Sequence, residues 1–416
     1  MSYFADLLST LFERASSLGK LSARKQAPLD VLCRELLTSK GEVSGATLAQ
    51  AVLNEYTALD DADKLAFFCQ LRDEFDLNAD AAKMALSVYQ QNPDQKNYAT
   101  FMHAVDPQRQ ELIRRLNQVP GATAQLVAMR QDLLRLAKDN PDIAIIDYDF
   151  KTLFLSWFNR GFLVIRPINW ASPAHILEKI IAYEAVHEID SWDDLRRRLQ
   201  PEDRRCFAFF HPSMPDEPLI FVQVALTDSM AHSIQAILSD DREAISADTA
   251  TTATFYSISN CQQGLAGISF GNSLIKTVVQ TLSRELPSLS VFVTLSPIPG
   301  FKSWCNGRDL QTDNLDTGDL RRLVAHYLLN AKRADNRPLD PVARFHLNNG
   351  ARVQAIHGDA DISPKGKQQS AGLMVNYLYD VPHLADNHEA FATHNKVAAS
   401  SGVQNLASEA IKQFQL

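Results

Sequence analysis

The chain has 416 residues, 45% of them hydrophobic and 22% charged. That composition excludes a disordered regulator, a collagen-like fibre and a disulfide scaffold, and the length predicts more than one domain. With 41 Lys+Arg against 49 Asp+Glu the formal charge is −8, so no global field draws the protein to nucleic acid or anionic lipid.

The N-terminus, MSYFADLLST, is acidic early and has no signal-peptide hydrophobic run, which predicts a cytoplasmic protein. No stretch approaches the ~20 apolar residues of a membrane span. The cysteines (33, 69, 206, 261 and 305) form no CxxC, so they are expected to be reduced thiols and no metal site is read.

Residues 1–150 hold only Gly19, Gly41, Gly45 and Gly121, and all the tryptophans lie beyond them. Leu65, Phe68, Leu71 and Phe75 recur at helical spacing, as do Leu112, Ile113 and Leu116, and then Leu126, Met129, Leu133, Leu134 and Leu136. Breaks fall at Asn92-Pro93, Asp106-Pro107, Pro120-Gly121 and Asn140-Pro141. This predicts an all-α helical bundle over 1–150, without a catalytic constellation.

Residues 151–416 read as α+β. Strands are expected at 161–166, 206–210, 219–226, 252–259, 290–295, 351–356 and 373–379. A helix over 272–286 carries the apolar stripe Leu274, Ile275, Val278, Val279 and Leu282. His383, His388 and His394 lie close in sequence but at spacings that share no helical face, and are expected in a solvated loop.

Between the fourth strand and that helix lies Gln262-Gln263-Gly264-Leu265-Ala266-Gly267-Ile268-Ser269-Phe270-Gly271-Asn272. Glycines before a helix N-terminus suit a phosphate or pyrophosphate. They equally suit tight packing after a strand, and the loop is neither a Walker A loop nor a GxGxxG.

Several segments together are specific. Tyr256-Ser257-Ile258-Ser259, the glycine loop, Leu295-Ser296-Pro297-Ile298-Pro299-Gly300-Phe301 and Pro341-Val342-Ala343-Arg344-Phe345-His346-Leu347-Asn348-Asn349-Gly350 resemble malonyl-CoA decarboxylases. Gly372–Tyr377, Glu217–Leu219, Val224–Thr227 and Glu184–His187 fit the same family.

The resemblance implies a multi-domain chain: an all-α oligomerisation domain followed by an α+β catalytic domain of the GNAT acetyltransferase type. It implies malonyl-CoA as substrate, acetyl-CoA and CO2 as products, no cofactor, and a homodimer or homotetramer assembled through the N-terminal helices. Ala266, Gly267, Ile268, Ser269, Phe270, Gly271 and Asn272 would then cradle the coenzyme A pyrophosphate. Ser296 is implied to contact the malonyl group, as the family's proton acceptor. A serine without a base accepts protons poorly, so its physical role reads as hydrogen bonding and orientation. His346 is implied to be the proton donor to the enolate. An ordinary histidine pKa of ~6.5 would give an alkaline limb in kcat/KM. Ser257, Asn376 and Tyr379 are read as supporting polar residues. Arg196–Arg198, Lys276 and Lys302 are open alternatives for the 3′-phosphate. An acyltransferase on the same scaffold and a non-catalytic acyl-CoA binder are the competing functions.

Overall fold

The structure, a computed structural model, describes residues 27–268 and 274–416. Two units emerge: residues up to Phe162 with Pro212–Pro215 and Gln262–Ile268, and the rest of the chain from Leu163.

The first unit is helical. Its helices are α1 (Leu29–Thr38), α2 (Glu42–Ala58), α3 (Asp61–Glu74), α4 (Ala79–Gln91), α5 (Gln95–Ala104), α6 (Gln108–Leu116), α7 (Ala122–Leu136) and α8 (Ile145–Trp157). The proline and asparagine breaks read from the sequence separate α4 through α8. Asp60, Asn78 and Asp94 cap α3, α4 and α5 by accepting the amides of Asp63, Ala81 and Asn97 at 2.9, 3.0 and 2.7 Å. Phe68, Leu71, Phe75, Leu112, Leu116, Leu126 and Leu133 are buried, while Leu65, Leu134 and Leu136 are half-buried.

Arg109 and Asp149 form a buried ion pair. Gln110 Nε2 also donates to Asp149, at 2.8 Å, and Arg109 Nη1 to Asp76, at 2.7 Å. These extra bonds offset the desolvation of two charges. A cut at residue 150 would fall inside α8, whose Phe150, Leu153 and Phe154 are all buried. The helix carries the unit past that point. α4 and α5 contrast with the rest, for neither buries a side chain, and they expose Met84, Val88, Tyr98 and Met102.

The second unit is α+β. Its strands are β1 (Val164–Ile168), β2 (Arg204–Phe210), β3 (Ile220–Thr227), β4 (Thr252–Asn260), β5 (Val291–Thr294), β6 (Ser296–Pro297), β7 (Arg352–His357) and β8 (Met374–Leu378). They form one sheet in the order β1-β2-β3-β4-β5-β8-β6, with β7 also on β8. All pairs are antiparallel except β4 with β5. The helices are α9 (Ala174–Tyr183), α10 (Trp192–Leu199), α11 (Ile234–Leu238), α12 (Leu274–Glu285), α13 (Phe301–Asn306), α14 (Thr317–Asn330), α15 (Pro341–Asn348), α16 (Pro364–Ser370), α17 (Leu384–His394) and α18 (Ser401–Phe414). Ile176, Leu177 and Ile180 of α9 and Leu195 of α10 share a core with Cys206, Ala208 and Phe221 of the sheet. The stripe predicted on α12 is buried throughout.

Two features open the sheet. The β3–β4 register slips between Gln223 and Val224, which leaves Tyr256 as an extra residue on β4. Such a bulge breaks the strand's alternation of faces. β5 ends at Thr294, and its last backbone bond to β4 is from Leu295 N–H to the Phe255 carbonyl, 3.0 Å. Pro297 and Pro299 have no N–H with which to extend that ladder. The second half of β4 is thereby left open on its β5 side among the described residues.

Two expectations shift. β1 begins at Val164, because Arg160–Phe162 is a 3-10 turn. The stretch expected as a histidine-bearing loop is α17, anchored by buried Leu384 and Phe391, which do share a face. Its His388 Nδ1 meets the Asn348 carbonyl at 2.6 Å. All five cysteines are free thiols. Among the described residues no helix is long and apolar enough to cross a membrane.

Candidate active site

A cavity of about 230 Å3 occupies the opening in the sheet. Val186, Phe255, Ile258, Val342 and Phe345 supply its apolar wall, and Ser296 and His346 line it as polar groups. Phe255 and Tyr256, neighbours on β4 at the bulge, both line it. Among the described residues no lysine, arginine, aspartate or glutamate lines it.

Ser296 opens β6, held on β8 opposite Val375. His346 sits in the last turn of α15, and Tyr379 follows β8, its N–H bonded to the Phe292 carbonyl at 2.8 Å. These three side chains meet in one buried hydrogen-bond chain. Ser296 Oγ donates to Thr294 Oγ1 at 2.8 Å and lies 3.1 Å from His346 Nε2. His346 Nδ1 lies 2.7 Å from the Tyr379 hydroxyl.

The directions follow from proton counting. A serine that gives its one proton to Thr294 must accept from His346 Nε2–H, so Nδ1 is bare and accepts from Tyr379 O–H. The imidazole also stacks on Tyr377, with ring centroids 4.4 Å apart. Burial drives the His346 pKa from 6.5 down to about 3, and it pushes the Tyr379 hydroxyl well above 10. Both groups are neutral at physiological pH. The alkaline limb expected of an ordinary histidine therefore has no source here.

The other residues read from the sequence lie elsewhere. Ser257 Oγ donates to Glu184, at 2.8 and 2.7 Å from its two carboxylate oxygens. Asn376 Nδ2 donates to the Thr294 and Ala231 carbonyls at 2.7 and 3.1 Å, and its Oδ1 meets His357 Nε2 at 2.6 Å. It fixes β8 against β5 without lining the cavity.

Ser269, Phe270, Gly271 and Asn272 lie outside the described residues. The preceding segment, Gln262–Ile268, belongs to the helical unit. There Arg130, almost fully buried, donates to the Gly264 and Ala266 carbonyls at 2.7 and 2.9 Å and to Asp147 at 2.7 Å. A Cβ at Gly264 would stand 1.9 Å from the Val127 carbonyl oxygen, so packing alone requires this glycine. Gly267 is left-handed at φ +77. The Ala266 and Ile268 amides already bond the Gln263 and Leu265 carbonyls, each at 3.0 Å.

Of the cations considered for the 3′-phosphate, Lys302 pairs with Asp313 at 3.1 Å and Arg197 with Asp240 at 2.8 Å. Arg198 is buried and holds the His187 and Glu188 carbonyls at 2.6 and 2.7 Å. Lys276 is exposed and has no ion-pair partner among the described residues.

Sequence reasoning missed Thr294, Glu184 and Asp340. Glu184 carried a visible signal, a carboxylate just before the Ala185-Val186-His187 turn. It accepts the Val186 and His187 amides at 2.8 and 3.1 Å and so fixes the cavity's Val186 edge.

The family model described as malonyl-CoA decarboxylase N-terminal domain matches residues 75–158, and the C-terminal domain model matches 161–317 and 308–416. The chain belongs to the malonyl-CoA decarboxylase family. It is 34% identical over 399 residues to the mitochondrial malonyl-CoA decarboxylase of Anser anser anser, covering 82% of this chain and 79% of that one. The mouse enzyme, also named mitochondrial, is 34% identical over 364 residues, covering 75% of this chain and 73% of that protein. These names give no support to the cytoplasm expected from the N-terminal residues. The crystal structure of malonyl-CoA decarboxylase from Rhodopseudomonas palustris shares 47% identity and a TM-score of 0.86, over 92% of this chain and 100% of that one. That from Cupriavidus metallidurans shares 35% identity and a TM-score of 0.73 over the same shares.

Burial of three titratable groups sets an acid response. Burial lowers His346 to about 3 and His187 to about 4, against 6.5 when unfolded. Their stabilisation is present above pH 6.5 and is lost as pH falls toward the folded values, because the unfolded state then binds more protons. Asp340 runs the other way, since burial raises it from 3.8 to about 6 and its contribution falls as pH rises through that window. Denaturant curves of His346→Gln should therefore lose about 1.4 kcal/mol less per pH unit than wild type between about pH 6 and 4. Parallel losses in the two proteins would show that His346 is not held neutral.

Proposed function

We infer that the chain is a carboxy-lyase that converts malonyl-CoA to acetyl-CoA and CO2, with Ser296, His346 and Tyr379 as its working side chains. The observation that carries the residue roles is a neutral hydrogen-bond chain ending at a cavity without a charged wall among the described residues. As the C–C bond breaks, carboxylate charge spreads into an enolate that the thioester carbonyl can hold. An apolar wall solvates a compact carboxylate worse than a spread enolate, so it favours that step. Electrons need no outside acceptor, so the reaction as written requires no cofactor.

The Ser296 hydroxyl turns its proton from Thr294 to the thioester oxygen, where negative charge grows. His346 gives its Nε2 proton to the enolate carbon while Nδ1 takes the Tyr379 proton, so the imidazole carries no net charge at the end of the step. As products leave, Nε2 takes a proton from solvent through the emptied cavity and Nδ1 returns its proton to the tyrosine oxygen, which restores the starting tautomer. Coenzyme A is held at the Ala266–Asn272 loop, whose start Arg130 fixes through the Gly264 and Ala266 carbonyls. Lys276, exposed and unpaired among the described residues, is the 3′-phosphate cation this reading favours. The protein self-associates as a homodimer or homotetramer through α4 and α5, which bury no side chain among the described residues and expose Met84, Val88, Tyr98 and Met102.

Two experiments test this reading. Purified protein and malonyl-CoA, with no amine acceptor, should yield CO2 and acetyl-CoA in equal amounts. Ser296→Ala and His346→Asn should each lower kcat by about 10²–10⁴-fold while acetyl-CoA affinity is kept. CO2 release that needs an acceptor, or full activity in either variant, would overturn it. In sedimentation, the wild type should be an oligomer that Met84→Glu with Met102→Glu dissociates; a monomeric wild type would refute the assembly.

A further inference from the structure

Ser296 and His346 come from segments far apart in sequence, and their hydroxyl–imidazole contact at 3.1 Å needs both to be held. The turn after Ser296 runs through Pro297, Ile298 and Pro299 to Gly300, which caps α13. His346 rides on α15, whose N-cap is Asp340. One side chain on α14, Tyr327, meets both of these anchors.

On the Ser296 side the contact is steric. A Cβ at Gly300 would stand 2.4 Å from the Tyr327 hydroxyl oxygen and 3.6 Å from its Cζ, with no other atom of the described residues within 4 Å outside its chain neighbours. Gly300 has φ −95, which any residue adopts. The hydroxyl alone therefore demands glycine at this position. On the His346 side the contact is polar. Asp340 is completely buried, and its Oδ1 accepts the Ala343 amide at 2.7 Å, which starts the helix. Its Oδ2 lies 3.5 Å from the Tyr327 hydroxyl. The ring is clamped by Trp304 and Phe301, with centroids at 5.3 and 5.9 Å.

We propose that Tyr327 is a strut between Gly300 and Asp340 that fixes the spacing of Ser296 and His346, so that all three act as positioning residues for the decarboxylation. This rests on the roles given to Ser296 and His346 above. The phenol hydroxyl is a stop for the Ser296 turn and a partner for the cap of the His346 helix. A shift of either end reaches the reacting pair, because both connecting segments are short and stiffened by proline. Errors near 1 Å in such a pair cost up to about 10²-fold in rate.

The test is a cycle on full-length protein, with kcat and KM for malonyl-CoA measured for wild type, Gly300→Ala, Tyr327→Phe and the double variant. Gly300→Ala should lower kcat about tenfold or more with KM within about threefold, since substrate contacts are untouched. Tyr327→Phe should cost only a few-fold. The double variant should recover to the Tyr327→Phe level, because removing the hydroxyl leaves the new methyl its nearest neighbour at 3.6 Å. A double variant no faster than Gly300→Ala, or Gly300→Ala at wild-type kcat, overturns the strut. Should Gly300→Ala fail to fold, Asp340 supplies the second arm. Asp340→Asn keeps an acceptor for the cap and a polar partner for Tyr327, and should stay within about threefold of wild type, whereas Asp340→Ala should fall tenfold or more in kcat. Equal activity in these two variants also refutes it. Failure of the wild type to release CO2 would instead sink the functional reading, which separates the two outcomes.

Discussion

The desolvation of His346 is the constraint on which the rest of the site depends. An imidazole stripped of water cannot hold a second proton at neutral pH, and burial takes its pKa to about 3. It must then find a donor for one ring nitrogen and an acceptor for the other. Tyr379 and Ser296 meet those needs, and Thr294 completes the chain by accepting the serine hydroxyl's hydrogen bond. Thr294 is in turn fixed by the Tyr377 amide, which donates to its Oγ1 at 3.2 Å. The polarity of the chain is thus written into the backbone of β5 and β8.

The sheet exists in a form that makes room for this chain. A bulge at Tyr256 interrupts β4 beside the cavity, and a proline-rich turn at Ser296 keeps β5 from closing it. The carboxylate that shapes the cavity's edge, Glu184, is satisfied by Ser257, Gln223 and two backbone amides rather than by a cation. Among the described residues no charged side chain lines the cavity, and Glu184 holds its Val186 edge in place. That is the environment in which a compact carboxylate is least comfortable and a delocalised enolate most nearly tolerated.

Much of this was legible in the residues. The breaks at Asn92-Pro93 and Asp106-Pro107 mark helix ends because proline has no amide to give and restricts its neighbour. Strands such as 220–227 announce themselves as apolar runs covered on both faces. Ser296 and His346 stood out through motif resemblance, not through periodicity. What stayed hidden depends on long-range packing. No local pattern says that Gly264 abuts the Val127 carbonyl, that Arg130 grips the loop, or that Ser257 serves Glu184 rather than the cavity. The His346 pKa departs from the ordinary histidine value for the same reason, since a stacked tyrosine and complete burial are properties of the fold. The histidines of α17 misled in the opposite sense. Their own spacing fits no helical face, and the helix is held by Leu384 and Phe391 instead.

The central claim is that the proton reaches carbon from a neutral imidazole within a neutral chain. The pH dependence of kcat/KM for malonyl-CoA, measured in wild type and His346→Asn, addresses it most directly. No member of the chain titrates between about pH 6.5 and 8.5, so the wild-type profile should be flat there and His346→Asn should be lower and equally flat. A wild-type alkaline limb near pH 6.5–7 that disappears in His346→Asn would show that His346 acts as an imidazolium and would contradict the account.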